Sequence, residues 1–109
     1  MITDNLKELK NLIQMYKEKG IRYGKSRDFL LKRINAGENE IKEEIFNLNN
    51  LEHIEKQNKK EEIRYVLFFV YSNKKGRQYV VAFKDKMVII TAFPLGRKTL
   101  MKYRKKRFI

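Results

Sequence analysis

The sequence has no cysteine, which excludes disulfides, thiolate metal sites and thiol nucleophiles. Its longest apolar run, residues 65–71, is far short of the roughly 20 residues that a membrane-spanning helix needs. His53 is the only histidine, and no group of histidines and carboxylates has the spacing of metal ligands. We therefore expect no metal, no cofactor and no membrane span. The lack of disulfides and the charged N-terminal segment favour a cytoplasmic location.

Acidic residues are scarce in the second half of the chain. Residues 64–109 contain 13 basic side chains and one acidic side chain, Asp85, whereas residues 1–63 contain 13 basic and 12 acidic side chains. Nearly all of the net charge of +13 therefore belongs to residues 64–109. This scarcity of carboxylates argues against two-metal phosphoryl chemistry and against a mechanism that uses paired carboxylates.

The surplus of positive charge in residues 64–109 favours a polyanionic partner, because such a field concentrates polyanions and speeds their association. A nucleic acid, an anionic membrane surface or acidic protein, and simple solubility are three explanations of it. Solubility alone predicts interspersed charges of both signs, and only residues 1–63 have that pattern. We therefore predict that the partner is RNA or another nucleic acid.

The spacing of apolar residues predicts helices in the first half of the chain and strands in the second. The predicted helices are 4–19, 26–35 and 39–47, and the predicted strands are 51–56, 64–72, 77–84 and 87–93. Between them, residues 21–25 are predicted to be a short basic connection and residues 57–62 a polar loop. Gly76 ends a predicted hairpin turn, where glycine tolerates a positive φ.

These elements predict an α+β fold, in which N-terminal helices pack on one face of a three- to four-stranded antiparallel sheet. The other face, together with a basic C-terminal tail, is expected to carry the positive charge. We expect one domain over residues 1–109, made of a helical extension, an α+β core and the tail, with bounds 1–25, 26–96 and 97–109. The extension is a candidate contact for a homodimer.

Basic side chains cluster at the turns of the predicted sheet and in the tail, with tyrosines among them. Arginine and lysine beside aromatic rings on a sheet surface can neutralise phosphates and stack on bases. The alternative for Tyr71 and Tyr79 is cross-strand packing and nothing more. The candidate nucleic-acid-binding residues are Lys74, Lys75, Arg77, Tyr79, Lys98, Lys102, Arg104, Lys105 and Arg107.

If the chain is an enzyme, its residues favour metal-free RNA cleavage, in which the ribose 2′-hydroxyl attacks the adjacent phosphate. His53 is the candidate acid or base because imidazole titrates near neutrality; a surface histidine is the alternative. Arg64 is a candidate cation, with a salt bridge to a glutamate as its alternative, and Thr91 supplies a hydroxyl or only favours a strand. Glu43 and Glu44 are assigned to a solvated helix face.

Two neighbouring segments of the predicted sheet resemble a motif of the RelE-like toxins. Residues 78–83, QYVVAF, are followed by a short turn and by residues 88–94, VIITAFP. This is similar to the strand, turn and strand ending in T-A-(Y/F)-P of phage-associated and toxin-like members. With its order of helices and strands, the chain resembles the barnase–EndoU–colicin–RelE group of small metal-free ribonucleases over about residues 26–105, most specifically over 77–98.

The resemblance implies an RNA-cleaving activity, often that of a toxin that an antitoxin or inhibitor protein neutralises. It also implies that the active residues lie on the sheet face and in the C-terminal segment. The implied catalytic positions are His53 or Lys56, Arg64, Thr91, and Arg97 or Lys98. Some relatives carry a histidine at the start of the first core helix, where residues 25–28 of this chain read KSRD.

Overall fold

The structure, a computed structural model, describes residues 5–24, 27–72 and 74–107, with side chains through Lys102. Its elements are, in chain order, α1 (Leu6–Met15), β1 (Ile21–Tyr23), α2 (Arg27–Ile34), α3 (Glu38–Asn47), β2 (Leu51–Lys59), β3 (Glu62–Val70), β4 (Gly76–Phe83), β5 (Met87–Leu95) and α4 (Arg97–Arg107). The predicted α+β class is confirmed.

The sheet of the described residues has five strands in the order β1-β5-β4-β3-β2. Strands β2 to β5 form an antiparallel meander, and β1 adds a parallel edge strand beside Met87–Ile89 of β5. The prediction of three or four antiparallel strands is therefore wrong in one respect, because residues 21–25 were expected to be a connection. A strand of only three residues is too short for alternation to reveal it.

One face of the sheet packs against the first three helices, and we call it the helix-side face. Its core contains sheet residues from β2 to β5 and buried residues from α1, α2 and α3. The apolar stripe of α1 predicted this burial, since Leu9, Leu12 and Ile13 recur on one side of the helix. The N-terminal extension thus shares a core with the rest of the chain.

The opposite face, which we call the α4-side face, has a smaller apolar core of its own. Leu100 of α4 is 1% exposed and packs with residues of β3, β4 and β5, among them Val66, Phe68 and Val80. The segment expected as a basic C-terminal tail, residues 97–109, thus begins with a helix that packs on the sheet. Because both faces are covered, all of Tyr65–Val70 is buried, which explains the continuous apolar run in β3.

The polar segment 57–62 differs from its prediction as a loop. Strand β2 continues to Lys59 and β3 begins at Glu62, so only Lys60 and Glu61 form the turn. Lys60 adopts a positive φ of 56° there. β2 is an edge strand, and exposed polar side chains on such a strand hide the alternation that identifies buried strands.

Gly76 has a different role from the one expected of a turn glycine. It lies in β4 and does not have a positive φ; within the described residues, Gly20 is the glycine that does. A Cβ atom at position 76 would lie 2.5 Å from the carbonyl oxygen of Phe69. Glycine is therefore needed here for close approach of two strands rather than for a left-handed turn.

Candidate nucleic-acid interface

The register of the sheet brings the β3–β4 turn next to the start of α4. Gly76 is paired with Val70 on one side and with Leu95 on the other. The turn between β3 and β4 and the first residues after β5 therefore lie at the same end of the sheet. Lys74 and Lys75 are exposed in this turn.

Helix α4 carries seven of the 13 basic residues found in residues 64–109. Seven of its 11 residues are basic, and its first turn has no acidic residue. Its first backbone hydrogen bond runs from Leu100 N–H to the carbonyl of Gly96 at 3.0 Å. Leu100 points to the sheet while Arg97, Lys98 and Lys102 are exposed.

Five exposed cations thus lie on the β3–β4 turn and on α4, and we call them the cationic surface: Lys74, Lys75, Arg97, Lys98 and Lys102. Within the part of the chain that the structure describes, none of the five forms a salt bridge. The helix backbone continues through Arg107, but the side chains of the candidates Arg104, Lys105 and Arg107 lie outside the described residues.

Arg77, a predicted phosphate-binding residue, faces the helices instead. Its side chain is 14% exposed and pairs with Glu40 at 2.5 Å and with Glu44 at 3.5 Å. Two carboxylates of α3 therefore already neutralise and largely cover the guanidinium, which places Arg77 outside the exposed cationic surface. Sequence reasoning missed this pairing since the carboxylates come from a helix more than 30 residues earlier in the chain.

Tyr79, predicted to stack on bases, is fully buried in the helix-side core. Its hydroxyl donates a hydrogen bond of 2.6 Å to Glu44 Oε1. Burial, together with the nearby carboxylate of Glu44, raises the pKa of Tyr79 well above its ordinary value, so the phenol stays protonated as a donor. A ring with no exposed surface cannot reach a nucleobase, and the prediction for Tyr79 is wrong.

Glu44 is the residue that sequence reasoning missed most completely. Its side chain is 10% exposed rather than solvated, and it accepts hydrogen bonds from the hydroxyls of Tyr79 and Tyr71. Removal from water raises the pKa of Glu44, while its tyrosine and arginine partners act in the opposite direction. Glu43, beside it in the sequence, is exposed as expected.

Arg64, a candidate catalytic cation, forms the salt bridge that was its alternative role. Arg64 Nε lies 2.7 Å from Glu62 Oε2, and the other oxygen of Glu62 lies 2.7 Å from Lys84 Nζ. Hydrogen bonds from Lys84 and then Arg64 hold the pKa of Glu62 below its ordinary value. One carboxylate therefore partly neutralises two cations of the second half of the chain.

Thr91, a candidate hydroxyl donor, contacts an arginine of α2. Arg33 Nη1 donates hydrogen bonds to Thr91 Oγ1 at 3.2 Å and to the carbonyl of Ala92 at 3.3 Å. The guanidinium of Arg33 also lies 4.6 Å from the ring centroid of Phe29 and 4.7 Å from that of Phe93.

His53, the candidate acid or base, lies on edge strand β2 and is partly accessible, with 33% of its side chain exposed. Its ring centroid is 5.5 Å from that of Phe68, which places it on the α4-side face. Its Nε2 lies 3.8 Å from a carboxylate oxygen of Glu55.

The four candidate catalytic residues are spread over the sheet rather than gathered in one cluster. Arg64 pairs with Gln57, four positions along β2 from His53, which corresponds to roughly 13 Å along the strand. Thr91 lies on β5, three strands away from β2, or about 14 Å across the sheet. Arg97 follows the end of β5, on the first turn of α4.

Comparison with known proteins found no protein family, no curated protein and no solved structure that matches this chain. Among the described residues, no group of three histidine, cysteine, aspartate or glutamate side chains is placed to hold a metal ion. No helix in the described segments is long and apolar enough to cross a membrane.

Proposed function

We propose that this protein binds RNA through the cationic surface. The observation that carries the proposal is that five exposed cations, outside any salt bridge in the described segments, lie on α4 and on the turn beside its first residues. Such cations can release counterions from a phosphate backbone, which is the main source of affinity in sequence-independent nucleic-acid binding.

The distribution of acidic partners supports this choice of surface. Carboxylates of the first 63 residues form salt bridges with Arg77, Arg64 and Lys84, so part of the positive charge of the second half is neutralised within the chain. The cations of the cationic surface have no such carboxylate partner among the described residues. Of the exposed second-half cations outside these salt bridges, the cationic surface therefore gathers five at one end of the sheet, while Lys86 lies at the β4–β5 turn.

The helix dipole gives a second argument. Cations in the first turn of a helix lie at the positive end of its dipole, which is unfavourable for the isolated helix. Arg97 and Lys98 occupy that turn in α4. A bound phosphate near this turn would be stabilised by both side chains and by the helix N-terminus.

The test compares two variants with the same change of net charge. One replaces Lys74, Lys75, Lys98 and Lys102 with glutamine, and the control replaces Lys7, Lys10, Lys17 and Lys42, which lie on or just after the N-terminal helices. We expect the first variant to lose affinity for an unstructured, fluorescently labelled RNA by on the order of tenfold or more, and the control to lose much less. Equal losses, or no binding by the wild-type protein, would overturn the proposal.

A metal-independent, RelE-like endoribonuclease is the second candidate function. The observation that favours it is that His53 lies on the face that α4 covers, partly exposed and beside the carboxylate of Glu55. Such a histidine can act as the acid or base in attack by the 2′-hydroxyl. If this function is correct, wild-type protein cleaves RNA in the presence of EDTA and His53→Ala does not; RNA that stays intact with the wild type excludes it.

A further inference from the structure

We propose that Phe29, Arg33 and Phe93 form a stacking platform for a nucleobase of single-stranded RNA. The inference rests on the proposed RNA-binding function and adds to it a site that recognises bases instead of phosphates. Its starting point is geometric: the guanidinium of Arg33 contacts two phenyl rings, lying 4.6 Å from the centroid of Phe29 and 4.7 Å from that of Phe93.

Both phenyl rings remain unusually accessible. Phe29 is 60% exposed and Phe93 is 41% exposed, although apolar rings are normally buried in a domain of this size. Arg33 can cover only one side of each ring. The surface that stays exposed therefore includes ring area to which a further planar group can be added.

The arginine at the centre of the platform is held in place by two hydrogen bonds to β5. Arg33 comes from α2, whereas Phe93 lies on β5 next to Ala92, whose carbonyl accepts a hydrogen bond from Arg33. A second hydrogen bond joins Arg33 to Thr91 Oγ1. These bonds fix the arginine against the strand, so little side-chain freedom would be lost when a base binds.

The position of Phe93 connects the platform with the cationic surface. Phe93 precedes Arg97 by four residues, a distance of at most about 14 Å along the backbone. A short stretch of RNA can therefore place a base on the ring and a phosphate near Arg97 or Lys98. Every nucleobase can stack on an aromatic side chain or on arginine. Stacking therefore does not depend on base sequence, and neither does binding of phosphates by the cationic surface.

A nucleobase fits the chemistry of this site better than an apolar protein segment does. The centre of the platform is a guanidinium, which attracts the polar edges of a base and disfavours burial beneath an aliphatic side chain. The nearby exposed cations have the sign needed to attract the phosphates on either side of that base.

The test uses Phe29→Leu and Phe93→Leu, which keep an apolar side chain but remove the aromatic plane, with Phe93→Tyr as a variant that retains it. Each variant is titrated with an unstructured RNA and with the same RNA made abasic throughout, after its thermal unfolding has been compared with that of the wild type. We expect each leucine variant to bind the base-containing RNA about tenfold more weakly than the wild type does. Phe93→Tyr should bind it normally, and all variants should bind the abasic RNA alike.

The outcomes separate this inference from the proposed function. If the leucine variants bind the base-containing RNA as the wild type does, or lose affinity equally for the abasic RNA, the platform does not hold a base. If substitution of the lysines of the cationic surface still weakens binding in that case, RNA binding stands and only the stacking site is refuted. If the wild-type protein binds neither RNA, both ideas fail.

Discussion

The carboxylate of Glu44 on α3 accepts a 2.6 Å hydrogen bond from the hydroxyl of Tyr79 in the middle of β4. The same carboxylate lies 3.5 Å from Arg77 and also accepts a hydrogen bond from Tyr71. This cluster joins α3 to two neighbouring segments of the sheet. The cluster also contains Arg77 and Tyr79, two residues that the sequence analysis predicted to bind RNA.

We predict that Glu44→Ala lowers the free energy of unfolding by about 3 kcal/mol, because it leaves Arg77 and Tyr79 largely buried with part of their hydrogen bonding lost. Urea denaturation measures this change. Glu43→Ala removes an exposed carboxylate from the adjacent position and should change the free energy of unfolding by less than about 0.5 kcal/mol. Similar midpoints for the two variants would contradict the structural role of Glu44.

The pairing of Glu62 with Lys84 and Arg64 predicts a dependence of stability on pH. The pKa of Glu62 is lower in the folded state than in the unfolded state. At pH values between these two pKa values the unfolded chain binds more protons, so the free energy of unfolding rises with pH in that range. The contribution is complete above the unfolded pKa of about 4.3 and is lost as the pH falls through the folded pKa. Glu62→Gln should therefore be less stable than the wild type near neutral pH, and the difference should shrink in acid.

Urea midpoints measured from neutral pH down to about pH 3 test this expectation for Glu62. The control is Glu61→Gln, in the adjacent turn, where the side chain is exposed. A Glu62→Gln difference that stays constant across this range, or that grows in acid, would contradict the proposed pairing.

Gly76→Ala should lower the free energy of unfolding by about 2 kcal/mol, since its methyl group would have to displace the backbone of β3. The Cβ atom would lie 2.5 Å from the Phe69 carbonyl oxygen and 3.4 Å from Leu95 Cδ1. Gly37→Ser is the matched control, because a Cβ there meets nothing within 4 Å and serine favours the N-cap position that Gly37 occupies. Thermal unfolding of both variants tests the prediction; an unchanged melting temperature for Gly76→Ala would refute it.

The parts of the fold that follow from local pattern were predictable from the sequence. The apolar stripe of α1 reflects burial of one side of the helix. The continuous apolar run of β3 reflects burial of both faces of the strand. Strand β1 carries no such signal, because its three residues acquire a strand conformation only by pairing with β5. Its formation depends on tertiary contacts that a local pattern cannot contain.

In the candidate site, too, features set by local sequence were predictable and features set by tertiary contacts were not. The positive charge of α4 was evident from the sequence, and Lys98 and Lys102 are exposed on this helix. The roles of Arg77 and Arg33 could not be predicted, because each arginine binds a partner more than 30 residues away. Arg77 pairs with Glu44, and Arg33 donates a hydrogen bond to Thr91. Charge counted along the chain overestimates the charge available at the surface wherever such partners exist.

The salt dependence of RNA binding tests the central claim most directly. For single strands, the slope of log K against log salt concentration is about −0.7 for each phosphate neutralised, so replacing Lys74, Lys75, Lys98 and Lys102 with glutamine should make the slope shallower by about one to three units. The measurement is fluorescence anisotropy with unstructured RNA between about 50 and 200 mM salt. A clearly shallower slope for this variant, with an unchanged slope for the matched Lys7, Lys10, Lys17 and Lys42 control, is the predicted result; identical slopes for the two variants would contradict binding through the cationic surface.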